Sequence, residues 1–112
     1  MPKYHSTEAA GFDLSASIDK NIIIKPGEIV KISAGLAWEI PSGFATFIYA
    51  RSGLGTKGLT LANSVGVIDS DYRGEILVAL INQSSNEFTI EPGMRIAQAI
   101  IMPVVQAEIE ED

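Results

Sequence analysis

The sequence predicts an all-β domain: a sandwich, a jelly roll or a barrel. Three observations carry that expectation. Apolar residues recur at alternate positions or in short blocks rather than at helical spacing. Turn-forming clusters interrupt them at short intervals: KPGE (25–28), PSG (41–43), NQSSNE (82–87) and EPGM (91–94). No stretch keeps a helical period over three turns, and many short, regularly punctuated strands are the pattern of closed or layered β architectures.

The elements follow in order. FDLSAS (12–17) alternates apolar and polar residues, as a half-buried strand does. NIIIK (21–25), EIVKIS (28–33), LAWEI (36–40) and FATFIYA (44–50) read as strands because they are rich in β-branched and aromatic residues. EILVALIN (75–82), FTI (88–90) and RIAQAIIMPVV (95–105) read the same way. The best helical candidate is a single turn around SGLGTKG (52–58). There is no repeat, linker or low-complexity segment, so residues 1–112 are expected to form one domain. The acidic stretch at about 108–112, EIEED, is expected to be a solvated end.

Composition narrows the chemistry. The chain has 112 residues, 46% of them apolar, and a net charge of −6. That balance argues against binding a polynucleotide, whose phosphates require clustered Lys and Arg. It leaves room for a small phosphorylated ligand held by one or two placed cations. There is no cysteine, so disulfides, thiolate metal sites and a cysteine nucleophile are ruled out. The one histidine, His5, stands in no motif that supports a triad and cannot by itself build a multi-histidine metal site. No apolar run is long enough to cross a membrane, and no signal peptide is visible. A soluble, cytoplasmic protein is the simplest expectation.

Four segments carry candidate chemistry. In YARSGLGTKG (49–58), Arg51 offers a paired contact to phosphate oxygens. Ser52 offers a hydroxyl and a cap for a short turn, and Gly53 and Gly55 offer close approach to backbone N–H groups. The spacing is not that of a Walker loop, and a plain surface turn is the alternative. In GVIDSDYRGE (66–75), Gly66, Val67 and Ile68 look like a strand end. Ser70 and Asp71 are expected to make a turn, and the chain from Tyr72 onward to return as a second strand. Gly66 suggests that something approaches the backbone closely. Asp69 follows two aliphatic residues, so it is expected to be partly desolvated and able to orient a water. Asp71 reads as a turn residue bonding its own backbone, and the ring of Tyr72 as a support for a sugar or base. The alternative is a plain hairpin with acidic turn residues and a core tyrosine. In AAGFDLSAS (9–17), Asp13 lies between Phe12 and Leu14 and is either half-buried with a partner or on the solvent face. In GMRIAQ (93–98), Arg95 is expected to make an ion pair or carbonyl contacts, and Gln98 either to be exposed or to donate to a ligand.

Together AGFDL, ARSGLGTKGL, NSVGVIDSDYRGE and GMRIAQ, in this order and spacing, resemble the homotrimeric dUTPases (dUTP diphosphatases), as does PVVQAE (103–108). The resemblance implies a distorted jelly roll of the dUTPase-like β-clip type, assembled as a homotrimer with sites at subunit interfaces. It implies Mg²⁺-dependent hydrolysis of dUTP to dUMP and diphosphate, with Asp69 orienting the attacking water onto the α-phosphate. It places Arg51, Ser52, Gly53 and Gln98 around the phosphates. Asn63 and the backbone of Gly66, Val67 and Ile68 would read the uracil edge, with a backbone contact from Leu77 across the hairpin. Tyr72 would pack under the deoxyribose, and Asp13 would hold Mg²⁺ through water. Departures from the family pattern are also visible. Met94 stands where relatives carry an acid, only nine residues precede AGFDL, and the sequence ends at EIEED without the glycine-rich fifth motif. Two alternatives therefore accompany the diphosphatase. One is a dUTP-binding regulatory module with little turnover. The other is a dCTP deaminase of the same fold, which the segments RSGLGTKG and VIDSDY disfavour.

Overall fold

The computed structural model describes residues 2–4 and 6–111, so His5 lies outside the described residues. The strands are β1 (Phe12–Ser15), β2 (Ile22–Ile24), β3 (Ile29–Ser33), β4 (Phe44–Ala50), β5 (Leu59–Leu61), β6 (Gly66–Ile68), β7 (Leu77–Asn82), β8 (Phe88–Ile90) and β9 (Arg95–Pro103). One helical turn, α1 (Ser52–Gly55), follows β4. The fold is an all-β distorted jelly roll. One sheet has the order β1-β9-β4-β6, a second pairs β2 with β8, and a third has the order β3-β7-β5. All of the pairings are antiparallel.

Alternation along the strands builds the core. Leu14, Ile24, Ile32, Ile48, Leu59, Val78, Leu80, Ile90 and Ile96 are buried and pack into one cluster with Ile76. Asn82 is fully buried in this apolar setting, and its polar atoms are all engaged. Its Nδ2 donates to the carbonyls of Ile24 and Asn86, both at 2.8 Å. Its Oδ1 accepts from the Ser84 amide at 2.9 Å and the Ser84 hydroxyl at 2.7 Å. One side chain thus ties β7 to β2 and to the turn before β8. Asn82→Ala would orphan several buried partners at once, and we expect it to cost about 3 kcal/mol, read as a lower denaturation midpoint. Thr46 is equally buried, yet its hydroxyl has no hydrogen-bond partner among the described residues. Thr46→Val removes that unpaired group and keeps the shape. Its stability is expected to equal or exceed that of the parent in the same measurement.

Three expectations need correction. LAWEI (36–40) is not a strand. Its backbone makes a single tie to Ile76, whose amide donates to the Leu36 carbonyl at 2.8 Å. Trp38 then turns edge-on to Phe12, with ring centroids 5.8 Å apart. Side-chain packing, not a ladder, produces its apolar pattern. Second, LTL (59–61), absent from the expected strands, is strand β5, paired with β7. Third, GVIDSDYRGE is not a two-stranded hairpin. Gly66–Ile68 pairs with β4, and the next strand begins only at Leu77.

Candidate functional site

β6 is an edge strand. It pairs with Thr46–Ile48 of β4 on one side, and no described strand covers the other. An edge presents backbone N–H and C=O groups without ladder partners. Here that edge faces a cleft of about 290 Å³ lined by Ile48, Asn63, Gly66, Val67, Ile68, Asp69, Tyr72 and Leu77, together with Glu75 and Ile76. Seven residues singled out from the sequence therefore meet in one place. Gly66 is buried at the back. A methyl built on it would fall 3.3 Å from Ile48 Cβ and 3.6 Å from Asn63 Nδ2, so the bare Cα brings both side chains close. Asn63 sits in a turn that Ser64 completes with a left-handed φ of 63°, an uncommon conformation outside glycine. Leu77 joins this cleft as the first residue of β7, not as the far arm of a hairpin.

The turn after β6 carries Asp69 and Tyr72. The Tyr72 amide donates to the Asp69 carbonyl at 3.2 Å. The side chain that closes the turn is Arg73, not Asp71. Its guanidinium donates to the carbonyls of Ser70 and Tyr72 and lies 3.5 Å from the Glu39 carboxylate. Tyr72 is not a core tyrosine: it is 43% exposed, and its hydroxyl donates to the Glu75 carbonyl at 2.7 Å. Asp69 is exposed at the rim, contrary to the expected desolvation, because β6 ends at Ile68 and the turn swings outward.

The remaining candidates form a second group. Asp13 of β1 pairs in register with Gln98 of β9, which pairs with Tyr49 of β4. The Asp13 carboxylate is half-buried, 3.2 Å from Arg51 Nε and 3.7 Å from an Arg95 nitrogen. Gln98 Nε2 donates to the Ala50 carbonyl at 3.3 Å. Arg51 occupies the cap position of α1 with extended backbone, so the cap is not Ser52, and no side chain caps the turn. Ser52 and Gly53 are exposed. A methyl on Gly53 would meet no atom within 4 Å, so nothing within this chain demands glycine there. Met94 packs against the core, and Arg95 finds its acid in Asp13 instead.

Strand alternation relates the two groups. Asp13, Gln98 and Tyr49 form one cross-strand row, while Phe12, Ala99, Ile48 and Gly66 form the adjacent one. Neighbouring rows point to opposite faces of a sheet. Ile48 and Gly66, which line the cleft, stand in the second row, and the Asp13–Gln98 row faces the other way. Within one copy the sheet separates them.

Comparison with known proteins gives the family and a matching fold. A dUTPase family model matches residues 1–112. The chain belongs to the dUTPase family. It is 57% identical to a deoxyuridine 5′-triphosphate nucleotidohydrolase of Desulfitobacterium hafniense, over 96% of this chain and 73% of that one. It is 56% identical to the protein of the same description from Nautilia profundicola, over 99% of this chain and 78% of the relative. Among solved structures, a dUTPase from Streptococcus mutans superposes with a TM-score of 0.88 at 32% identity, covering 96% of this chain and 88% of that one. A Staphylococcus phage 80alpha dUTPase superposes at 0.89 with 24% identity, covering 100% and 88%, a likeness of fold. In the family setting, the cleft and the Asp13–Arg51 group become the two halves to be explained.

Proposed function

We propose that this family member hydrolyses dUTP to dUMP and diphosphate, with the β6 edge reading the base and Asp69 orienting the water. The observation that carries the reading is an open strand edge beside a carboxylate and an aromatic ring in one cleft. Uracil presents a donor between two acceptors, and a strand edge supplies complementary groups in line. Asn63 adds a side-chain amide at one end and Leu77 a backbone contact at the other. The close backbone wall leaves no room for a methyl at C5. Tyr72 lies under the deoxyribose and rejects a 2′-hydroxyl by fit. Asp69, at the rim where the sugar would lead to the phosphates, accepts a proton from water and aims it at the α-phosphate.

The phosphates need cations, and this cleft has none. Arg51 supplies a cation, and Ser52, Gly53 and Gln98 supply neutral donors, from the opposite face of the sheet, so we propose that a second copy completes each site and that the assembly is the homotrimer. Gly53 is exposed and a methyl on it would meet no atom within 4 Å, so nothing in this chain crowds a phosphate oxygen approaching with that second copy. As for Mg²⁺, no group of three or more acids and histidines gathers among the described residues. Asp13, already beside two guanidinium groups, fits a contact through water to an ion bound chiefly by phosphate oxygens, not an inner ligand cage. Such an ion would offset charge on the triphosphate. The domain acting here is proposed to span 1–112, with the acidic end at 108–112 outside the chemistry. No helix among the described residues is long and apolar enough to cross a membrane.

The test is diphosphate release from dUTP with Mg²⁺, beside dCTP, dTTP and UTP. Fast release from dUTP alone is the expected result. Release from dCTP or dTTP at a similar kcat/KM would refute the base-reading edge.

A further inference from the structure

The ring of Tyr72 has an unusual seat. A methyl built on Gly74 would fall 2.5 Å from the Tyr72 hydroxyl oxygen, 2.7 Å from Cζ and 3.1 Å from Cε1. The ring therefore lies directly over the bare Cα two residues on. Its hydroxyl is consumed by the Glu75 carbonyl at 2.7 Å. Glu75 is itself tethered, because its carboxylate accepts from the Ser33 hydroxyl at 2.7 Å. Ser33 in turn accepts from the Gly35 amide at 2.9 Å. The phenol is thus held beneath by Gly74 and at its tip by a carbonyl anchored to β3. Gly74 covers the phenol end of one ring face, while the exposed ring lines the cleft.

Gly74 differs from the turn glycines of this chain. Gly27, Gly35, Gly43, Gly58 and Gly93 have left-handed φ values, and Gly74 does not. An alanine is allowed there by the backbone. What excludes it is the tyrosine ring, the far end of a side chain that can rotate away at modest cost.

We propose that Gly74 is a positioning residue for sugar discrimination: its missing side chain lets the Tyr72 ring lie flat at the cleft, where it rejects a 2′-hydroxyl. This rests on the reading that Tyr72 meets the deoxyribose. Gly74 itself touches no substrate, and its effect passes through Tyr72. The hydroxyl of Tyr72 is a structural anchor and not a substrate contact.

The experiment is a double-mutant cycle read as the ratio of kcat/KM for dUTP to that for UTP, which a loss of folded protein does not move. Parent, Tyr72→Ala, Gly74→Ala and the double variant are compared. Gly74→Ala is expected to fold and to lower the ratio about tenfold, the scale of one misfitted group. Tyr72→Ala should lower it at least as far. In the Tyr72→Ala background, Gly74→Ala should add nothing. A parental ratio in Gly74→Ala with a lowered ratio in Tyr72→Ala overturns the inference and leaves the Tyr72 reading standing. A parental ratio in Tyr72→Ala removes that reading and the inference with it. Additive losses would mean that Gly74 acts by another route, again overturning the inference. Should Gly74→Ala fail to fold, the double variant decides: folding restored by removing the ring supports the seat, and folding not restored refutes it.

Discussion

Replacing Asp69 by Asn should lower kcat for dUTP about a thousandfold, within the range that a positioned general base contributes. The dissociation constant for a non-hydrolysable dUTP analogue should stay within about tenfold of the parent. The argument is geometric. Asp69 sits past the end of β6 at the rim of the cleft, while Asn63, Tyr72 and the strand edge lie within it. The side chain is exposed and makes none of the bonds that close its turn; those come from Arg73 and the backbone. Swapping one oxygen for NH₂ therefore leaves the base and sugar contacts in place. It takes away the group that accepts a proton from water. Single-turnover kinetics beside an analogue titration separate the two effects. A variant that turns over at the parental rate would take Asp69 out of the mechanism.

The second large effect is a restoration. Arg51→Ala alone should be nearly inactive, because the phosphates lose their paired cation contact. Mixed with Asp69→Asn and allowed to exchange subunits, it should recover activity that neither variant shows alone. Each variant supplies the half that the other lacks, because the cleft and the Arg51 group lie on opposite faces of the β1-β9-β4-β6 sheet. With random mixing in a symmetric ring, roughly a quarter of the sites combine an intact cleft with an intact Arg51. Mixed samples no more active than the separate variants, with subunit exchange shown by mass, would place both halves in one copy.

Much of this was legible in the sequence, for reasons that differ by element. FATFIYA and FTI were delimited to the residue because turn chemistry brackets them and their composition favours strands. GVIDSDYRGE was singled out as a candidate site, and its expected hairpin did not form. Its partner, β4, lies some way upstream, and a non-local pairing leaves no trace in a local pattern. LTL was too short to stand out beside Gly58. LAWEI misled in the other direction, since Trp38 and Ile40 are drawn inward without a ladder. The ion pair of Asp13 was foreseeable as a need for a partner. That Arg51 and Arg95 both converge on it follows only from the registers of β1 and β4 against β9. The seat beneath Tyr72 was hidden altogether, because a glycine in a turn usually signals backbone freedom, and Gly74 serves by leaving space.

The pairing of β1 with β9 sets a timetable for synthesis. Phe12–Ser15 leaves the ribosome some eighty residues before its neighbour in the sheet, Arg95–Pro103. The row that holds Asp13 against Gln98 cannot close before the last strand emerges, so early strands wait with open edges. This sheet should therefore close only once Arg95–Pro103 has emerged. A nascent chain stalled before residue 95 should remain sensitive to protease, and one lengthened until residue 103 is clear of the ribosome should become resistant.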